Sequence, residues 1–240
     1  MMNKTLLLLP TMNENDNVNK LFYEISNLKI KLDFLFIDDA STDGTKESIQ
    51  QIINKNSKKK IFFVDNKKRK GIGNAHKYAL NLAYKKKYDF LFTMDTDFAH
   101  KPEYLLDLNK VKNKFDLIVG SRYLKKKSVH KLSIFRKFLS FGSHFVNKIL
   151  FKNDFDTTNS FRSYKLQSID KKLFKKIQTN DYDFFFTSIN LIYLENYSIK
   201  QIPMKIFGRS YGGSKMTPKH ICKSILNIFV LYFKITFKLI

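Results

Sequence analysis

Along the first half of the chain, short apolar runs alternate with longer stretches in which apolar residues recur every three or four positions. Residues 5–9, 34–37, 61–64, 90–94 and 117–119 are apolar and bounded by polar residues, which predicts buried strands. Between them the spacing predicts helices over about 15–28, 45–53, 72–84 and 102–111, with Asp43 suited to a cap and Pro102 to a first turn. Strand–helix alternation implies a mostly parallel sheet with right-handed crossovers. Ligands of such sheets bind beyond the carboxyl ends of the strands. The opening Leu6–Leu9 run meets Pro10 and is too short for the apolar core of a signal peptide, so it reads as the first strand.

The strand exits carry the unusual residues. Pro10-Thr11-Met12-Asn13-Glu14 follows the first and Asp38-Asp39-Ala40-Ser41-Thr42-Asp43-Gly44-Thr45 the second. Asp95-Thr96-Asp97 follows the fourth, and Gly120-Ser121-Arg122-Tyr123 the fifth. Two carboxylates at a strand exit suit a hard divalent cation, which in turn binds the diphosphate of a nucleotide-sugar. Asp38 or Asp39 can accept hydrogen bonds from a base or ribose, while Ser41 and Asp43 can begin the next helix; a plain strand-to-helix turn is the simpler account of this stretch. Lys70-Gly71-Ile72-Gly73-Asn74-Ala75 opens a helix after the third strand, where glycines permit close backbone approach and a helix start favours phosphate. The third glycine of a dinucleotide fingerprint is missing.

Taken together, these motifs resemble family 2 glycosyltransferases, in order and spacing, and within them the polyprenyl (dolichyl) phosphate mannosyltransferase group. Ser133-Ile134-Phe135-Arg136, Asp156-Thr157-Thr158-Asn159-Ser160-Phe161-Arg162 and Arg209-Ser210-Tyr211-Gly212-Gly213-Ser214-Lys215 extend the resemblance to about Lys215. It implies an α/β nucleotide-sugar-binding domain (GT-A, Rossmann-like) with a mostly parallel central sheet over residues 1–215. Pro10, Met12, Glu14 and Asp39, with Gly71, would line the nucleotide; Asp95 and Asp97 would bind Mg²⁺ or Mn²⁺. Arg122, Arg136, Arg209 and Lys215 would contact donor diphosphate or acceptor phosphate, for which arginine forks suit phosphate oxygens. The implied donor is GDP-mannose or a UDP-sugar and the implied acceptor a polyprenyl phosphate. Three positions depart from the family pattern: Met12 where an aromatic is common, Ala99 where glutamine is usual, and Thr187 where a glutamate is common. With Ala99 in place, water or His100 is the substitute for a third metal ligand.

Composition adds a membrane. In 240 residues, Lys and Arg number 44 against 21 Asp and Glu, a net charge of +23 that points to an anionic partner or to a merely solvated lysine surface. The aromatics sit mostly in apolar runs and no nucleic-acid-binding signature is present, so nucleic acid is not the expected partner. The one cysteine, Cys222, fits a reducing compartment. Residues 124–152 mix lysines with apolar residues at helical spacing. In 218–240, Lys219, Lys223, Asn227, Lys234 and Lys238 form one stripe, and lysines interrupt what would otherwise approach the roughly 20 apolar residues of a membrane span. The expectation is a C-terminal amphipathic helix over 216–240 lying in the interface of the cytoplasmic face of a membrane, or docked on the domain or on a dimer partner. Two other readings stay open: a hydroxyl acceptor with Asp181 or Asp183 as general base, and a non-catalytic basic membrane-binding module.

Overall fold

The computed structural model describes residues 3–124, 134–205, 218–237 and 239. The first half alternates as the pattern predicts: β1 (Thr5–Thr11), α1 (Asn15–Ser26), β2 (Asp33–Asp39), α2 (Thr45–Lys55), β3 (Ile61–Asn66), α3 (Ile72–Lys85), β4 (Phe90–Thr93), α4 (Tyr104–Val111) and β5 (Leu117–Ser121). Then follow α5 (Ile134–Phe151), β6 (Arg162–Lys165), α6 (Lys171–Lys175), α7 (Asp183–Leu194), β7 (Ile199–Pro203) and α8 (Pro218–Thr236). Pro102 precedes α4 rather than opening it; its carbonyl accepts from Leu105 N in the turn before the helix.

The seven strands form one sheet in the order β3-β2-β1-β4-β6-β5-β7. β1 pairs in parallel with β2 and β4, β2 with β3, and β5 with β7, while β6 runs antiparallel to both β4 and β5. Apolar side chains pack on both faces. Leu6, Leu8, Leu35 and Ile37 face the side covered by α3 and α7; Leu7, Leu9, Phe34 and Phe36 face α1, α2 and α4. Both faces being covered explains why these strands read as continuous apolar runs rather than alternating ones.

The C-terminal helix takes the docked arrangement, one of those expected for it. α8 packs on α5 and α7, with Ile228 and Leu231 buried against Phe151 and Phe186. Three residues of its polar stripe turn inward: Lys223 pairs with Asp181, Asn227 Nδ2 donates to Asp183, and Lys234 Nζ donates to Gln178 Oε1 at 3.2 Å. Leu226, Phe229, Val230, Phe233 and Phe237 make the exposed side, and Phe145 and Ile149 of α5 are exposed as well. The helix is thus docked on the domain through Ile228 and Leu231, with a second apolar face outward. Among the described residues no helix is long and apolar enough to cross a membrane.

Candidate active site at the strand exits

Two short segments form one wall of the rim. Asp38, the last residue but one of β2, has no exposed surface; its carboxylate accepts from Thr11 Oγ1 at 2.9 Å, from Ser41 N at 2.8 Å and from Ser41 Oγ. Ser41 Oγ in turn accepts from Asn13 N at 2.8 Å, Thr45 Oγ1 from Glu14 N at 2.8 Å, and Asp43 Oδ2 from Asn15 N at 3.0 Å. Asp43 also accepts from Thr45 N at 3.1 Å, which makes it a cap for α2 although Gly44 is the residue just outside the helix. Burial opposes the charge of Asp43, but the Thr45 and Asn15 hydrogen bonds hold its pKa below the usual carboxylate value. The Pro10–Glu14 turn is therefore stitched, residue by residue, to the turn after β2. Glu14 is buried and its Oε2 accepts from Asn17 Nδ2 at 2.7 Å, while Pro10 and Met12 are half-buried.

Asp39 has a different role from its neighbour. Its two oxygens accept from Lys70 N at 2.7 Å and Gly71 N at 2.9 Å, so it holds the loop that opens α3. Gly71 has φ +89°, and a Cβ there would stand 2.5 Å from Asn180 O; at Gly73 it would stand 2.5 Å from Asp181 O. The close approach these glycines permit is thus to the 180–181 backbone, and Asn74 N donates to Asn180 O at 3.1 Å.

At the exit of β4, Asp95 Oδ2 accepts from Ser160 Oγ at 2.7 Å and Asp97 Oδ1 from Ala99 N at 3.0 Å, and Thr96 Oγ1 reaches back to Pro10 O at 2.8 Å. The last contact joins the acidic segment to the β1 turn. Asp97 is buried and Asp95 half-buried. Their donor set consists of hard carboxylate oxygens oriented by fixed neighbours, which fits a divalent cation whose other positions are filled by diphosphate and water. His100 is buried against Phe161 with Nδ1 lacking a hydrogen-bond partner. It does not complete the set: among the described residues no group of three or more His, Cys, Asp or Glu surrounds a common point.

Arg122, expected from the sequence to contact phosphate, is held within the protein: its guanidinium makes a bidentate pair with buried Asp156, Nε to Oδ2 at 2.9 Å and Nη2 to Oδ1 at 2.8 Å, with a further bond to Thr158 Oγ1. Burial works against both charges, yet each supports the other, raising the Arg122 pKa and lowering that of Asp156. Arg136 lies on α5 with its side chain outside the described residues, as are Arg209 and Lys215. The sequence reading gave no role to Asp156, Ser160 or Arg162, although their segment was among its motifs. Nor did it anticipate where Asp181 and Asp183 go. Asp181 Oδ2 meets Lys223 Nζ at 2.6 Å, and Asp183 accepts from Ser224 Oγ at 2.6 Å and from Asn227.

A family model described as Glycosyl transferase family 2 matches residues 7–178. The chain is 27 % identical over 231 residues to a dolichol-phosphate mannosyltransferase of Pyrococcus furiosus, a match that covers 95 % of this chain but 63 % of that protein. It thus spans less than two thirds of that relative's length. It is 24 % identical over 231 residues to a polyprenol monophosphomannose synthase of Mycolicibacterium smegmatis, covering 94 % and 85 % of the two chains. Among solved structures, glucosyl-3-phosphoglycerate synthase of Mycobacterium tuberculosis matches with a TM-score of 0.70 at 12 % identity, over 95 % of this chain and 80 % of that one. A complex of that synthase contains Mn²⁺ and UDP. At such identity the structural likeness speaks for the GT-A fold alone.

Proposed function

Because the chain belongs to glycosyl transferase family 2, we propose that it moves a hexose, mannose in the first instance, from a nucleotide-sugar to a polyprenyl phosphate at the cytoplasmic face of a membrane, with inversion at the anomeric carbon. The observation that carries the choice of acceptor is the engagement of Asp181 and Asp183 by α8. A hydroxyl acceptor needs a base to take its proton. The two carboxylates that suited that role hold a helix instead. A lipid phosphate is already ionised and attacks once it is oriented, so the protein's contribution is positioning and fixed positive charge. The names of both relatives, each joining mannose to an isoprenoid phosphate, support the same acceptor and sugar.

In this reading Pro10, Met12, Glu14 and Asp39 line the nucleotide, and Asp95 and Asp97 hold Mg²⁺ or Mn²⁺. The cation, when bound, neutralises charge growing on the departing diphosphate. Arg136, Arg209 and Lys215 meet phosphate oxygens, and Arg122 acts through the loop it anchors. The outward apolar side of α8, beside Phe145 and Ile149 of α5, supports a membrane surface as the place of work. The domain is residues 1–215, with 216–240 as the membrane-associating segment.

The test is transfer of radiolabel to undecaprenyl phosphate from GDP-mannose, UDP-glucose or UDP-N-acetylglucosamine, with Mg²⁺ or Mn²⁺ and with chelator. Metal-dependent labelling of the lipid supports the proposal and names the donor. Nucleotide binding with label appearing only on a hydroxyl acceptor would replace the acceptor. Neither binding nor labelling would leave a non-catalytic membrane-binding module.

A further inference from the structure

Arg162 heads the largest side chains that are fully buried among the described residues. A guanidinium stays charged wherever it is placed, and the partners of this one are neutral. Nε donates to Asn159 O at 2.8 Å, Nη2 to Thr157 O at 3.0 Å and Phe185 O at 2.8 Å, and Nη1 to Ser188 Oγ at 2.8 Å and Tyr164 Oη at 3.3 Å. The guanidinium also stands 5.3 Å from the centre of the Phe185 ring. Burying a cation among neutral acceptors is less favourable than burying an apolar side chain of similar volume. Packing alone therefore gives no reason for an arginine here.

What the fork grips gives a reason. Two of its acceptors are carbonyls of the 156–160 loop, held from beneath at Thr157 and Asn159. The other residues of that loop face the site: Asp156 and Thr158 bind Arg122, and Ser160 donates to Asp95. Asn159 Nδ2 also donates to Gly120 O at 2.8 Å, and Thr93 Oγ1 to Ser160 O. One loop thus spans the exits of β4 and β5, and one arginine sets its backbone from the side of α7.

We propose that Arg162 is a positioning residue, whose fork ties Thr157 O and Asn159 O of the 156–160 loop to Phe185 O and Ser188 Oγ of α7 so that Ser160 orients Asp95 for the donor-side cation. The inference rests on the metal-dependent reading above, and the test separates the two. Wild type, Ser160→Ala, Arg162→Met and Arg162→Lys are compared by thermal melting, by Mn²⁺ titration with electron paramagnetic resonance in the presence of GDP or UDP, and by kcat and donor KM. Ser160→Ala is expected to melt like wild type and to weaken Mn²⁺ binding by about 10–100-fold, the range for a lost hydrogen bond to a metal ligand. Arg162→Met and Arg162→Lys are both expected to weaken Mn²⁺ at least as much and to lower kcat more than they raise donor KM, because a lysine keeps the charge but lacks the fork.

Wild-type Mn²⁺ affinity and kcat in a folded Arg162→Met would overturn the proposal, as would restoration of both by lysine, which would make the charge and not the geometry the cause. Should Arg162→Met fail to fold, unchanged Mn²⁺ affinity in Ser160→Ala overturns it alone. A wild type that binds no Mn²⁺ removes the metal reading together with this inference. A wild type that binds it, with variants unaltered, removes only this one.

Discussion

The two sides of the rim are held by different interactions. On the side of β1 and β2, side chains of one short turn take backbone N–H groups of another: Ser41 from Asn13, Thr45 from Glu14, Asp43 from Asn15. On the side of β4, β5 and β6, charged forks join segments far apart in the chain, Arg122 to Asp156 and Arg162 to the carbonyls of α7 and its own loop. The first side has many modest bonds, and losing one leaves the others in place. The second gathers its bonds on two guanidinium groups, and removing Asp156 leaves the Arg122 charge uncompensated. A wall that shapes a base or ribose tolerates the first arrangement; groups that must meet developing charge at fixed distances call for the second.

The largest effect that would sharpen this contrast is catalytic. Asp97→Asn is expected to lower transfer by about 100-fold or more, since in the proposed reading it removes a carboxylate that holds the cation, with most of the loss in kcat. Asp39→Asn, on the other side, is expected to raise donor KM by roughly 10-fold with kcat nearly unchanged, about 1.4 kcal/mol of ground-state binding. Steady-state kinetics of the two variants decides, and a kcat loss at Asp39 equal to that at Asp97 would erase the distinction. Next in size is stability. Asp156→Ala leaves Arg122 buried without its pair and is expected to cost about 3–5 kcal/mol in urea unfolding, whereas Asp156→Leu combined with Arg122→Met costs much less.

The charged side reaches into the core at His76, which is buried between Phe184 and Phe185 with both ring nitrogens lacking hydrogen-bond partners. Burial, aided by the Arg162 charge, pushes its pKa down from 6.5 to about 3. Below pH 6.5 the unfolded chain takes up a proton that the folded chain refuses. Its share of stability is therefore complete above 6.5 and falls by about 1.4 kcal/mol per pH unit down to about pH 3. The unfolding free energy from urea titrations is expected to drop by about 2 kcal/mol between pH 7 and 5 from this group, and His76→Leu to flatten that drop. The smallest effect is expected at Lys223→Ala. Its pair with Asp181 is half open to solvent, so the loss is under about 1 kcal/mol and shrinks with salt.

The same contrast marks what could be read before the structure. The five strands of the first half appear because each is an unbroken apolar run, and the carboxylates after β2 and β4 because each cluster lies within a few consecutive residues. β6 escaped notice because Arg162-Ser163-Tyr164-Lys165 is polar, and only its pairing with β4 and β5, distant in the chain, makes it sheet. α7 shows no helical period because ten of its twelve residues are buried, so no polar face marks its axis. Asp156, Ser160 and Arg162 gained no roles because their partners lie 34, 65 and 26 residues away. For α8 the stripe was legible but its partners were not: Lys223, Asn227 and Lys234 meet Asp181, Asp183 and Gln178, 42–56 residues earlier in the chain.

The antiparallel β6 has a consequence during synthesis. No described pairing joins β4 to β5; each reaches the other only through β6. As the chain leaves the ribosome, β3-β2-β1-β4 can assemble by short crossovers, but β4 remains an open edge until Lys165 has emerged, and β5 has no partner of its own among the earlier strands. The nascent chain therefore carries an unpaired apolar edge for some 70 residues, the stage at which it is most exposed to chaperones and to pairing with other chains. The strand that finally closes the gap brings the buried arginine with it, so completion of the sheet and assembly of the charged half of the rim are one event.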